Sequence, residues 1–189
     1  MQLQELLTAI QPEQISGTMD KEVSRIAFDS RQAVHGSLFA AVKGLHNDGH
    51  AFIDKAVQNG AATILLQDWP EHLHDGVTYV QVKDSAAALG HLAAAFFGYP
   101  ARQLQLVGIT GTNGKTTIAT LLFDLVRRLG YKCGLISTIE NRIGDEVLPS
   151  LYTTPDAVTV NNLLADMAES GCTYAFMEVS SHAVEQKRI

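Results

Sequence analysis

Positive charge is scarce in this 189-residue chain: 14 lysines and arginines stand against 20 acidic residues, for a formal net charge of −6. A surface built to grip nucleic acid or an anionic membrane needs the opposite balance, so neither is expected as a partner, and solubility alone accounts for the acidity. Cysteine is rarer still. Only Cys133 and Cys172 occur, far apart and in segments that read as buried strand ends. That is too few for a disulfide framework, and both read as small buried apolar residues rather than a metal pair. No apolar run approaches the ~18 residues of a membrane span. The start, Met1-Gln2-Leu3-Gln4-Glu5, lacks the basic and apolar regions of a secretory signal, so a cytoplasmic location is expected. Internal repeats and low-complexity tracts are missing as well.

What remains is the composition of a packed globular protein, with 46% hydrophobic and 18% charged residues. Leu3, Leu6, Leu7 and Ile10 have helical spacing, and Pro12 ends that element. Strands are expected at 26–28, 38–42, 62–66 and 79–82, with a helix over 50–58 closed by Asn59-Gly60. Asp84 or Ser85 would cap an Ala-rich helix ending before Gly98-Tyr99-Pro100. The helix stop and proline make Gly98 to Arg102 the expected boundary, dividing residues 1–101 from 102–189. Beyond it, strands at 104–109, 132–137 and 174–179 alternate with helices at 116–129 and 157–170, and a polar hairpin-like stretch covers 140–148. The expected fold class is α/β, a small mixed α/β domain followed by the first part of a parallel-sheet P-loop ATPase domain. Three parallel strands are few for such a domain, so the chain reads as the front of a longer protein.

One stretch carries the chemistry. Leu106 to Ile109 is an apolar strand, Thr110 to Gly114 a glycine-bearing turn, and Lys115-Thr116-Thr117 opens a helix. Glycines let successive N–H groups close around phosphate oxygens, and the helix aims its positive end at the same charge. Lys115 would reach the β- and γ-phosphates of ATP, and the Thr116 hydroxyl would bind Mg²⁺. The strict phosphate-loop pattern asks for glycine where this chain has Ile109. A second constellation is Met177-Glu178-Val179-Ser180-Ser181-His182, where an apolar strand delivers a carboxylate at its C-terminal end. Glu178 is placed there to hold Mg²⁺ or its water. His182 reads equally as a catalytic group or a structural hydrogen-bonding residue.

Three further stretches have ordinary structural readings beside functional ones. Asp29-Ser30-Arg31 follows a strand and resembles a solvated turn. Lys43 to His50 is another polar, glycine-bearing loop, in which Asp48 is also a plausible helix cap, and the two loops together would line a shallow polar site. Thr153-Thr154-Pro155-Asp156 reads as a helix N-cap followed by an early helical proline, or as paired hydroxyls aimed at a phosphate or carbonyl.

Together, Asp29-Ser30-Arg31, Gly36-Ser37-Leu38-Phe39, Asn47-Asp48-Gly49-His50, Gly111 to Thr117, Thr153-Thr154-Pro155 and Glu178 to His182 resemble the Mur ligases, in that family's order and spacing. Asp-Ser-Arg combined with Glu-Val-Ser-Ser-His resembles the branch that adds the third residue of the peptidoglycan stem peptide. That family's loop does not need glycine at the position of Ile109.

The resemblance implies a three-domain, monomeric ligase using ATP and Mg²⁺. Its reaction would join a diamino acid, meso-diaminopimelate in preference to lysine, to UDP-MurNAc-L-Ala-D-Glu through an acyl phosphate. Residues 1–101 would hold the UDP-sugar, with Phe28, Ser30, Leu45, His46 and Asn47 in contact. Gly111, Thr112, Asn113, Gly114, Lys115, Thr116 and Thr117 would hold ATP, and Thr116 and Glu178 the metal. Thr153, Thr154, Ser180, Gln186 and Arg188 would face the muramoyl dipeptide, and Lys115, Glu178 and His182 would be catalytic. Tyr152 departs from the asparagine that some members carry there. The family's carbamylated lysine and amino-acid domain would lie downstream, leaving this chain alone inactive. Competing readings are a non-catalytic UDP-sugar- or nucleotide-binding fragment, a P-loop kinase or NTPase, and the D-alanyl-D-alanine-adding relative, which Glu178 to His182 disfavours.

Overall fold

A computed structural model describes residues 1–44, 47–150 and 153–189, in two compact units, Met1–Phe96 and Phe97–Ile189. Leu45, His46 and Tyr152 therefore lie outside the described residues.

The first unit is built on a five-stranded sheet. Its strands are β1 (Gln14–Ser16), β2 (Ile26–Ala27), β3 (Ser37–Ala40), β4 (Ala61–Leu66) and β5 (Thr78–Gln81), in the order β1-β5-β4-β3-β2. β2 to β5 are parallel, and β1 adds to the edge antiparallel. β3 and β4 are buried on both faces, as their unbroken apolar runs require. Phe39, Ile64, Leu66 and Tyr79 pack with Ile53 and Ala56 of α2 (Ile53–Gln58). The residues read as one helix over 50–58 divide into a 3₁₀ turn, Gly49–Phe52, and α2. The short α1 (Leu3–Leu6) touches α3 (Ser85–Phe96), whose first turn is capped by the Asp84 carboxylate accepting from Ala87 N. β1 has no counterpart in the sequence reading: two of its three residues are exposed, so it lacks an apolar pattern.

The second unit contains β6 (Gln105–Ile109), α4 (Lys115–Arg128), β7 (Cys133–Ile136), β8 (Glu140–Ile143), β9 (Glu146–Pro149), α5 (Ala157–Glu169), β10 (Tyr174–Glu178) and the short α6 (Ser181–Glu185). Its sheet runs β6-β10-β7-β8-β9. The first three strands are parallel, and the polar stretch after β7 turns back as an antiparallel hairpin extending the sheet. Alternation along β10 divides the core. Ala175 and Met177 pack with Val160, Leu163, Leu164 and Met167 of α5, while Phe176 packs with Ala119 and Phe123 of α4. At Gly134 an added Cβ would stand 2.2 Å from Met167 Sδ, so α5 approaches the sheet closely there. α4 keeps an exposed apolar stripe of Ile118, Leu121, Leu125 and Leu129 on the side away from Phe123.

The strand order matters most for the site. β10, last in sequence, lies between β6 and β7, so the segments leaving all three strands emerge side by side. Among the described residues no helix is long and apolar enough to cross a membrane.

Candidate functional site

The turn after β6 is built by its glycines. Gly111 and Gly114 have φ of +146° and +81°, conformations that L side chains rarely adopt. Added Cβ atoms would meet nothing closer than Asn113 O at 3.7 Å and Ile118 Cδ1 at 3.9 Å, so the protein itself leaves open the space before the turn. Gly114 is the N-cap of α4 and supplies no side chain to its first N–H groups. The other two long helices are capped by carboxylates, Asp84 on α3 and Asp156 on α5. α4 thus presents unpaired N–H groups and the positive end of its dipole to whatever lies before the turn. Lys115 curls back, its Nζ donating to Gly111 O at 2.8 Å and to Thr112 O at 3.4 Å. Both glycines, the lysine and the uncapped helix mouth suit a polyphosphate.

Glu178 ends β10, opposite Ile109 of β6, and is only 1% exposed. A carboxylate this buried needs donors. Thr116 Oγ1 donates to its Oε2 at 3.0 Å, and Thr138, just past β7, donates its N–H to Oε1 at 2.8 Å. The Thr138 hydroxyl lies 3.3 Å from Oε2 and 3.0 Å from Thr153 Oγ1. Because Thr116 gives its proton to the carboxylate, its oxygen turns lone pairs elsewhere, as a hard cation requires. Oxygen donors at this mouth therefore suit Mg²⁺. Thr138 is absent from the sequence reading. It is an ordinary threonine in Ser-Thr-Ile, and only the strand order brings it to Glu178.

The paired threonines differ from expectation in one respect. Asp156, after Pro155, caps α5 by accepting from Thr159 N at 2.9 Å, so neither threonine is the cap and the proline precedes the helix. Thr154 instead clasps the end of β10. Its hydroxyl donates to Glu178 O at 2.8 Å and accepts from Ser180 N at 3.1 Å, while Arg188 Nη1 donates to Thr154 O at 3.1 Å. Arg188 also bonds Gln186 Oε1, and Ser180 Oγ caps α6 by accepting from Ala183 N. Thr153, Thr154, Ser180, Gln186 and Arg188 are thereby tied to the Glu178 strand end. His182 is exposed in the first turn of α6.

In the first unit, β2 and β3 are neighbours, so the segments following them are adjacent. Phe28 is exposed, and Ser30 is buried with its carbonyl accepting from Asn59 Nδ2 at 2.8 Å. Asp29 and Arg31 pair with each other. Arg31 donates from Nε and Nη2, holding the Asp29 carboxyl below its usual range. In the second segment, Gly44 N donates to the carbonyl of exposed Asn47, and Asp48 caps the 3₁₀ turn by accepting from His50 N. That N–H and the His50 ring hold the Asp48 carboxyl down. Asp48, His50 and Asp68 gather donor atoms within 4.8 Å of one another. The histidine is already committed, however: Nδ1 contacts Asp48 Oδ1 at 2.6 Å, and Nε2 accepts from the N–H groups of Gln67 and Asp68. It anchors the loop to the end of β4 rather than offering a lone pair to a metal.

Comparison with known proteins assigns relatives to both units. Residues 22–97 match the Mur ligase family catalytic domain, and residues 109–189 the Mur ligase middle domain. The UDP-N-acetylmuramoyl-L-alanyl-D-glutamate–2,6-diaminopimelate ligase of Bacteroides fragilis is 54% identical over the whole chain, and the protein of the same name from Listeria innocua 44%. The chain spans 39% and 38% of their respective lengths. A solved structure of a ligase with that name superposes with a TM-score of 0.78 at 27% identity, over 100% of this chain and 37% of its own. MurF from Acinetobacter baumannii superposes with a TM-score of 0.62 at 28% identity, over 94% of this chain and 35% of its own.

Proposed function

The chain belongs to the Mur ligase family, and from that premise we propose that it forms the nucleotide-sugar and ATP sides of an ATP-dependent ligase that joins meso-diaminopimelate to UDP-MurNAc-L-Ala-D-Glu, in peptidoglycan precursor synthesis. The choice of diamino acid rests on the names of the relatives. The observation that carries the ATP side is the Thr116–Glu178 hydrogen bond at the uncapped mouth of α4. It joins a phosphate-binding turn to a buried carboxylate, with an oxygen left free for a cation.

Each residue then has a task. The N–H groups from Gly111 to Thr117 cradle the phosphates, and Lys115 exchanges the carbonyls of Gly111 and Thr112 for phosphate oxygens. Thr116 and Glu178 hold Mg²⁺, which when bound offsets charge between the triphosphate and the D-glutamyl carboxylate. Thr153, Thr154, Ser180, Gln186 and Arg188 line the dipeptide side, with Arg188 supplying the cation and Thr154 keeping the end of β10 in place. His182 is the remaining catalytic candidate, exposed beside that segment. Phe28, Ser30, Leu45, His46 and Asn47 take the UDP-sugar. Repulsion between two anionic reactants is the barrier to be lowered, so the contribution is positioning and electrostatics.

Calorimetry tests the reading directly. This chain is expected to bind β,γ-imido-ATP in the presence of Mg²⁺, and Lys115→Ala to abolish the binding; equal binding by the variant removes the loop from the proposal. In a ligase of the family's full length, the same substitution is expected to cut turnover ~10²–10³-fold or more. Phosphate release from ATP without any muramoyl substrate would point to a P-loop NTPase instead.

A further inference from the structure

We infer that Thr138 is a positioning residue that sets the Glu178 carboxylate for the metal and ties the metal side of the site to the peptide side through Thr153. The inference rests on the ATP and Mg²⁺ reading above and deepens it.

Three features carry it. First, Thr138 grips both carboxylate oxygens, with its N–H on Oε1 and its hydroxyl on Oε2, fixing the rotation of the carboxylate plane. Thr116 meets only Oε2, and hydrogen-bonded partners behind a ligand set its orientation. Second, Thr138 stands past β7 while Glu178 ends β10 and Thr116 opens the helix after β6, so contacts from two flanking segments meet on one carboxyl group. Third, the Thr138 hydroxyl links the carboxylate to Thr153. It is the shared donor, 3.0 Å from Thr153 Oγ1 and 3.3 Å from Glu178 Oε2. Thr116 donates to the same oxygen from the other side. Donating to the carboxylate, Thr116 keeps lone pairs for a cation.

The test uses Thr138→Val, which keeps the N–H but removes the hydroxyl, Thr138→Ala as a second deletion, and Thr138→Ser as the conservative rescue. Thr138 is exposed, so its methyl is not needed for packing. Titration of this chain with β,γ-imido-ATP at varied Mg²⁺ gives the half-saturating metal concentration. A second titration with UDP-MurNAc-L-Ala-D-Glu, against UDP as control, gives the peptide-side affinity. Valine and alanine are expected to raise the Mg²⁺ requirement ~10-fold or more, and to weaken binding of the dipeptide while leaving UDP unchanged. Serine is expected to restore both. Deletion variants with an unaltered Mg²⁺ requirement overturn the inference while leaving the ATP reading intact. A deletion variant that melts early is judged through serine: restored stability without a restored Mg²⁺ requirement overturns it too. Nucleotide binding by the unsubstituted chain that ignores Mg²⁺ overturns the metal reading itself, and this inference with it.

Discussion

Thr154 shows how one hydroxyl can be committed to architecture inside a site. It is 2% exposed, donates to the carbonyl of Glu178 and accepts from Ser180 N, so its removal orphans two backbone groups at the strand end. Thr154→Val is expected to cost about 1–3 kcal/mol in urea unfolding without any ligand, and Thr154→Ser to recover most of it. The two cysteines make a second residue-level case. Burial pushes the Cys133 thiol up to about 11 and raises Cys172 as well. The folded chain therefore keeps a neutral thiol at a pH where the unfolded chain, with its ordinary value near 9, has already lost the proton. The stability that Cys133 contributes is complete below about pH 9 and declines as pH rises toward 11; denaturant melts across that window check it. At neutral pH both thiols are expected to react with iodoacetamide only after unfolding.

Among the elements, α5 and β7 are held in close approach at one glycine. Gly134→Ala would drive a methyl into Met167, and about 1–3 kcal/mol of destabilisation is expected, largely relieved when Met167→Ala is added, as a double-mutant cycle would show. The burial of β4 and β5 was legible because short continuous apolar runs leave few alternatives. The positions of the turn after β6 and of Glu178 were legible for a related reason: both sit at the end of an apolar strand, where a sheet presents its loops. Three features escaped. β1 is short, polar and held only by its neighbour, so no periodicity marks it. The cap of α5 moved from the threonines to Asp156, because a hydroxyl and a carboxylate a few residues apart compete for the same N–H groups and spacing does not rank them. Thr138 belongs to the site only through strand order, a long-range property that no local pattern encodes.

Across the whole chain, two compact units carry two sets of loops, and the proposed ligands divide between them. Hydrogen exchange is the matching measurement. UDP is expected to protect residues 28–31 and 47–50 alone, and the ATP analogue with Mg²⁺ to protect 109–117, 137–138 and 178–182. Protection of the turn after β6 by UDP would contradict the division. The sheet order of the second unit has one more implication, which concerns time. A ribosome delivers β6, α4, β7, the hairpin and α5 before β10, yet β10 belongs between β6 and β7. Until it arrives, the two flanking strands have no parallel partner within that sheet, and nothing bonds the hydroxyls of Thr116 and Thr138 together. Closing the gap is a long-range, slow event. It is also the event that brings in Glu178, so the nascent polypeptide gains the carboxylate that joins Thr116 to Thr138 in the same stroke that links β6 to β7.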